Sequence, residues 1–180
     1  ENNMVDVFTT DVEDELENEG LMQLVGFEVG KEIFGVNILM VREIIRSAPI
    51  TAVPNSPEFV EGVINLRGDI IPVIDLRKRL NLFREEGEDK NWILILDIEG
   101  SVTGFVVDRV DDVLKISQED IEPAPEIVLA GLESQYIRGV CEVGEKRLMI
   151  LLNFDSILLA NEIKQLKAAD SEGLAQAAGV

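Results

Sequence analysis

The sequence of 180 residues contains no histidine and a single cysteine, Cys141. A zinc site built from Cys and His ligands and an internal disulfide are therefore both excluded. Nucleophilic mechanisms that use a histidine as the base are excluded for the same reason. Because Cys141 lies within an apolar run, we interpret it as a small buried hydrophobic residue.

Positive charge is also scarce, since 16 Lys and Arg face 35 Asp and Glu and give a net charge of −19 with a pI near 4.2. Such a chain repels nucleic acid and anionic lipid, so we expect proteins or basic ligands as partners. No basic start precedes an apolar signal core, and no apolar run approaches about eighteen residues. We therefore expect a cytoplasmic protein with no direct membrane insertion.

Hydrophobic residues make up 46% of the sequence and the mean hydropathy is +0.14, which predicts a globular protein with a substantial core. Residues 1–20 contain eight Asp or Glu and no Lys or Arg, a composition typical of an acidic disordered tail. The remaining residues carry the other 11 net negative charges. After the body at 21–168, residues 169–180 are predicted to be a flexible C-terminus.

The most informative stretch is GVINLRGDIIPVIDLR at residues 62–77. Its apolar, β-branched runs at 62–66 and 70–74 flank a turn at Gly68 and Asp69, which predicts a β-hairpin. Pro72 has no amide proton, so either its strand lies at an edge or its nitrogen faces away from the partner strand. Arg67 lies at the hairpin tip, where a stiff scaffold holds an accessible guanidinium.

Other patterns define the remaining elements. Alternating apolar residues predict strands near 25–29 and 33–36, and Asn37 is a plausible N-cap for a short helix carrying Ile38, Val41, Ile44 and Ile45 at helical spacing. A strand at 102–107 is expected to continue through 108–114. A hairpin is predicted at 139–154, followed by an amphipathic C-terminal helix at 156–168.

The body contains an internal repeat with an offset of 69 residues. The first set is Phe27, Val29, Ile33, Gly35, Val41 and Ile44, and the second is Leu96, Ile98, Val102, Gly104, Val110 and Val113. Gly62 and Val63 recur at Gly139 and Val140 with an offset of 77, so one loop insertion of eight residues explains the change. We therefore expect an all-β dominated fold of two packed five-stranded β-barrels, roughly 24–90 and 91–155, split and interleaved. A groove between them would be lined by equivalent positions such as Val41 and Val110.

Four segments carry a resemblance to a known family: EGVINLRGDIIPVIDLR at 61–77, GFVVDRV at 104–110, IEPAPE at 121–126 and MILLNF at 149–154. Over residues 24–166 the sequence resembles the CheW coupling proteins of bacterial chemotaxis. The resemblance implies that both barrels are SH3-like. It also implies a non-enzymatic scaffold, without cofactor, that links the histidine kinase CheA to the cytoplasmic tips of methyl-accepting chemoreceptors.

The resemblance further implies a receptor-binding groove and structural hairpin residues. The groove residues are Ile38, Val41, Ile44, Arg67 and Val110, and the hairpin residues are Gly62, Asn65, Gly68, Pro72 and Asp75. An apolar groove suits the helical hairpin of a receptor tip. The kinase contact is implied to involve the CheW-like regulatory domain of CheA, and the chain alone is expected to be a monomer found at chemoreceptor arrays.

Three alternatives remain open from the sequence. Arg67 could be a structural bridge to Asp75 or Asp108 rather than a binding residue. The carboxylates of Asp69, Asp75, Asp97 and Asp108 could form a hydrolytic or Mg²⁺ site, although no phosphate-binding loop or nucleophile elbow accompanies them. The chain could also be the CheW-like part of a CheV-type protein, which adds a receiver domain.

Overall fold

The computed structural model describes residues 20–82, 92–129, 132 and 134–158. The predicted acidic tail, apart from Gly20, lies outside these residues. The predicted flexible C-terminus and most of the predicted C-terminal helix lie outside them as well.

The described residues form ten strands and several short helices. The strands are β1 (Leu21–Val29), β2 (Glu32–Asn37), β3 (Val41–Ile45), β4 (Val60–Leu66), β5 (Asp69–Asp75), β6 (Trp92–Ile98), β7 (Ser101–Val107), β8 (Arg109–Ser117), β9 (Ile137–Val143) and β10 (Arg147–Leu152). The α-helices are α1 (Leu76–Arg79), α2 (Glu126–Leu129) and α3 (Phe154–Ile157), and the 3₁₀ helices are Ile38–Met40, Gln118–Asp120 and Ser134–Tyr136. The mainly β fold class predicted from the sequence is confirmed.

The strands form two five-stranded sheets. The first sheet has the order β8-β1-β2-β10-β9 and the second has the order β3-β6-β7-β5-β4. Each strand of one sheet has a counterpart at the same place in the other sheet, five strands away along the chain. For example, β8-β1-β2 in the first sheet corresponds to β3-β6-β7 in the second. The repeat predicted from the sequence is therefore present in the topology. Each sheet combines strands of both repeats. The predicted barrel bounds 24–90 and 91–155 divide the chain between the repeats and not between the sheets.

A pair of backbone hydrogen bonds joins the two edges of each sheet. Thr51, which follows edge strand β3, pairs with Val63 of edge strand β4 through two N–H···O bonds of 2.9 Å. Glu122, which follows β8, pairs in the same way with Val140 of β9 through two bonds of 2.8 Å. These bridges cover part of the otherwise unpaired edges and curve each sheet toward a barrel.

The buried apolar side chains of the described residues form three clusters. The largest, here called the inter-sheet core, takes residues from both sheets and includes Phe27, Phe34, Leu94, Leu96, Phe105 and Phe154. The second lies within the first sheet around Leu24 and Met149, and the third lies within the second sheet around Ile64 and Ile95. Successive side chains along a strand point to opposite faces of the sheet, so they pack into different clusters.

The predicted helix after Asn37 is wrong beyond its first turn. The Asn37 side chain does cap a 3₁₀ turn by accepting the Leu39 N–H at 3.0 Å, but Val41–Ile45 is strand β3. The register passes from Val41 opposite Leu96 to Glu43 opposite Ile95, so an extra residue forms a β-bulge. The bulge places residues three apart on one face of a strand, and this spacing imitates a helix.

The predicted continuation of one strand through 102–114 is also wrong. Pairing in the second sheet ends at Val107, and β8 begins at Arg109 in the first sheet. The Asp108 carboxylate between them accepts the Gly30 N–H at 2.6 Å and forms an ion pair with the buried Arg77. These contacts hold the chain where it crosses from one sheet to the other.

Candidate functional site

The β4–β5 hairpin presents Arg67 at its tip. Arg67 and Gly68 are the two turn residues, with φ of 51° and 91°, and a two-residue hairpin turn of type I′ requires positive φ at both positions. The Asn65 side chain accepts the Gly68 N–H at 2.9 Å and closes the turn. The sequence therefore fixes a turn from which the Arg67 side chain projects with 74% of its surface exposed.

Two other predicted hairpin residues, Gly62 and Pro72, have positions that the strand pairing explains. A Cβ on Gly62 would lie 2.1 Å from the Thr51 carbonyl oxygen, so only glycine permits the bridge that joins β3 to β4. Both backbone groups of Val63 bond Thr51, so the Pro72 nitrogen opposite it faces away from β4. Since β5 lies between β4 and β7, the edge-strand alternative for Pro72 is wrong.

Asp75 is buried and caps α1. Its carboxylate accepts the Arg77 N–H at 3.0 Å and the Lys78 N–H at 3.4 Å. These bonds satisfy backbone donors at the helix start that otherwise have no partner within the helix.

Arg67 forms a two-pronged ion pair with Glu43 of β3. The guanidinium donates to the two carboxylate oxygens at 2.6 and 3.2 Å. The hydrogen bond from Arg67 lowers the pKa of Glu43, and the same bond raises the pKa of Arg67. The alternative bridge from Arg67 to Asp75 or Asp108 is therefore wrong, because the structural partner is Glu43.

A cleft of about 550 Å³ lies beside this ion pair. Arg42 and Asp97 form a second ion pair of 2.7 Å close to it. The cleft is lined by Arg42, Glu43, Arg67, Asp69, Ile71 and Ile95, among others. A cleft that combines charged and apolar side chains can hold an amphipathic side chain of a partner protein.

The four predicted apolar groove residues lie around the junction of the two sheets. Ile38, Val41 and Val110 pack against the inter-sheet core. Val41 pairs with Leu96 and Ile44 pairs with Leu94, both members of that core, so the bulge at Arg42 places Val41 and Ile44 on the same face of β3. Glu43 lies opposite Ile95 of the second sheet's own cluster, so the Arg67–Glu43 pair lies on the other face of β3.

Strand β8 repeats the same arrangement. Val113 pairs with Val25 and Val110 pairs with Phe27, both in the inter-sheet core, and a bulge lies between them. Val113 is 49% exposed and occupies the position equivalent to Ile44, which is 37% exposed. We call the apolar surface formed by Ile38, Leu39, Val41 and Ile44 on one side and Val110 and Val113 on the other the junction surface.

Two residues of the junction surface were missed from the sequence. Val113 belongs to the repeat, so its equivalence to Ile44 could have identified it. Leu39 is 56% exposed at the middle of the 3₁₀ turn, and no pattern in the sequence distinguishes it from a core residue.

Three of the four aspartates considered for hydrolytic chemistry have structural roles. Asp97 holds Arg42 and accepts the Gly100 N–H at 2.9 Å, Asp108 binds Arg77, and Asp75 caps a helix. Among the residues that the structure describes, no group of three or more His, Cys, Asp or Glu is placed to hold a metal ion. Over the same residues, no helix has the length and apolar character needed to span a membrane.

Comparisons with known proteins agree with this architecture. The model of the CheW-like domain matches residues 23–162. The chain is 38% identical over 145 residues to the protein of Rhizobium etli named "Probable chemotaxis protein CheW", covering 81% of this chain and 92% of that protein. It is 35% identical over 153 residues to the chemotaxis protein CheW of Treponema pallidum, covering 83% and 89%.

A solved structure is similar as well. The crystal structure of the scaffolding protein TtCheW from Thermoanaerobacter tengcongensis superposes with a TM-score of 0.70 at 33% identity, covering 78% of this chain and 90% of that one. Fold, topology and sequence thus agree over most of the chain. The chain belongs to the CheW-like domain family, whose members are chemotaxis scaffold and adaptor proteins rather than enzymes.

Proposed function

We propose that this scaffold couples the histidine kinase CheA to the cytoplasmic tips of methyl-accepting chemoreceptors, so that receptors control kinase activity. The observation that carries the proposal is the junction surface, where equivalent strands of both repeats expose apolar side chains beside the inter-sheet core. A receptor tip is a helical hairpin, and an amphipathic helix binds such a surface through apolar anchors. The scaffold then joins the membrane-associated array through protein contacts alone.

Arg67 lies on the other face of edge strand β3 from Val41 and Ile44, and we propose that it orients a receptor helix that reaches around this edge. Its guanidinium has five N–H donors, and the ion pair with Glu43 uses one on each terminal nitrogen. The remaining donors on an exposed side chain can form charge-assisted hydrogen bonds to a carbonyl or carboxylate of the partner.

The kinase arm of the proposal involves the CheW-like regulatory domain of CheA. A domain of the same fold offers barrel ends that match those of this chain.

Reconstitution tests the proposal directly. Purified chain is combined with a CheA-type kinase and receptor-containing membranes, and kinase autophosphorylation and co-sedimentation are measured with and without the chain. We expect the chain to bring kinase to the membranes and to raise its activity. Absence of binding to both partners would contradict the coupling function.

Val41→Asp tests the junction surface within this assay. A carboxylate at this half-buried site disrupts apolar contact with a partner helix, so receptor co-sedimentation should be lost. Val143→Asp is the matched control, because Val143 is also half-buried but packs against the first sheet's own cluster. Receptor binding by Val41→Asp at the level of the unsubstituted chain would contradict the assignment.

A further inference from the structure

The junction surface carries a cation two residues beyond its last apolar residue on each strand, Ile44 on β3 and Val113 on β8. On β3, Ile45 packs against the second sheet's own cluster, so Arg46 shares the opposite face with Ile44, and its guanidinium lies 5.6 Å from the centre of the Trp92 ring. On β8, Leu114 and Ile116 pack against the first sheet's own cluster, so Lys115 shares the opposite face with Val113.

Arg46 and Lys115 are equivalent positions of the repeat, with the offset of 69 residues that relates Val41 to Val110. The charge is not kept at every equivalent pair, since Arg42 corresponds to Asp111. In a chain with 16 basic and 35 acidic residues, a cation beside the exposed apolar residues of both strands is a specific local feature.

Both cations are available to a partner. Arg46 and Lys115 are exposed, and neither takes part in an ion pair among the residues that the structure describes. Arg46 lies five residues after Val41, and Lys115 lies five residues after Val110. Five residues correspond to about 15 Å along a strand. That distance equals about ten residues, or three turns, of an α-helix, so groups separated in this way lie on one face of a helix.

We propose that the junction surface binds an acidic amphipathic helix, whose apolar residues contact Val41, Ile44, Val110 and Val113 and whose carboxylates pair with Arg46 and Lys115. This inference rests on the proposed function and specifies the chemistry of the partner. Apolar contacts supply the affinity, and the two cations select helices that carry Asp or Glu about three turns from the residues that contact Val41 or Val110.

Charge reversal tests this selection. Arg46→Glu and Lys115→Glu are compared with the unsubstituted chain for co-sedimentation with chemoreceptor-containing membranes at low and high salt. Each reversal should weaken binding by roughly threefold to tenfold at low salt, and the loss should shrink as salt screens the charges. Arg138→Glu is the matched control, because it makes the same change at an exposed position of β9.

The outcomes separate this inference from the proposed function. If Val41→Asp abolishes binding while both reversals bind as the unsubstituted chain does, the inference is overturned and the coupling function stands. If the unsubstituted chain does not bind receptor membranes at all, both fail. A thermal melt checks that each variant is folded, and Lys115→Gln, which removes one charge without adding another, should give a smaller loss of the same sign.

Discussion

Gly62 shows how one residue determines whether a sheet can close. Its φ of 147° is rarely adopted by residues with a side chain, and a Cβ there would meet the Thr51 carbonyl carbon and oxygen. The sequence predicted the glycine as part of a hairpin. It could not show the Thr51 bridge, because that contact depends on how β3 continues after leaving the sheet.

Gly62→Ala should therefore lower the free energy of unfolding by about 2–4 kcal/mol, since the added methyl must displace backbone as well as strain φ. Gly144→Ala is the control, because Gly144 also has positive φ but no atom lies within 4 Å of the added Cβ. That variant should cost about 1 kcal/mol. Urea titration of both variants measures the difference, and equal losses would show that the bridge does not constrain position 62.

Arg67→Ala should change stability little, because exposed ion pairs contribute little to folding. It should weaken receptor binding more than kinase-domain binding in the reconstituted system. Equal losses of both would indicate that the residue only holds the hairpin tip against Glu43.

The ion pair also predicts a pH dependence for Glu43. Because the pKa of this carboxyl is lowered in the folded chain by its hydrogen bond from Arg67, the pairing contributes above the ordinary carboxyl pKa and is lost as the pH falls through the lowered value. Glu43→Gln should remove that small dependence, which acid titrations of both proteins followed by NMR would detect.

Cys141 should be an unreactive thiol in the folded protein. Burial, and secondarily the carboxylate of Asp120, raises its pKa, so little thiolate is present near pH 8. We expect slow reaction with an aromatic disulfide reagent in native buffer and rapid reaction in urea. Stability linked to this group is complete below the ordinary thiol pKa and falls as the pH rises through the raised value.

At the scale of elements, the hairpin and the repeat could be predicted, but the strand faces of β3 and β8 could not. Val41 and Ile44 share a face because of the bulge at Arg42, and their spacing of three residues is indistinguishable in sequence from a helical turn. The junction surface could be anticipated through Val41 and Val110. The ion pair of Arg67 with Glu43 could not, because it joins two elements whose pairing the sequence does not specify.

Helix α1 gives a test at this scale. Asp75→Ala removes a buried cap with two backbone hydrogen bonds, so it should lower the free energy of unfolding by about 1–3 kcal/mol. Asn153→Ala is the matched control, because Asn153 precedes α3 but its side chain makes no capping bond. Its cost should be near 0.5 kcal/mol or less. Chemical denaturation of both variants measures the contrast, and similar losses would argue against a capping contribution at Asp75.

At the scale of the whole molecule, the two repeats exchange strands rather than folding side by side. The 3₁₀ turn Ile38–Met40 takes the chain from the first sheet to the second, and Asp108 returns it. The repeat predicts two equivalent units. It cannot show which copy of the repeat supplies each strand of a sheet, because equivalent strands can form the same pairs.

This exchange predicts that the two halves of the chain depend on each other for folding. As separate polypeptides, residues 20–82 and 92–158 each carry strands of both sheets, so each leaves apolar faces of the inter-sheet core uncovered. Neither should show a cooperative thermal transition by circular dichroism, whereas an equimolar mixture should recover β-sheet signal and a single transition. A fragment that melts cooperatively as a monomer would show that one repeat can build a sheet from its own strands. The exchange of strands between repeats would then result from their being joined in one chain, and the fold would not require it.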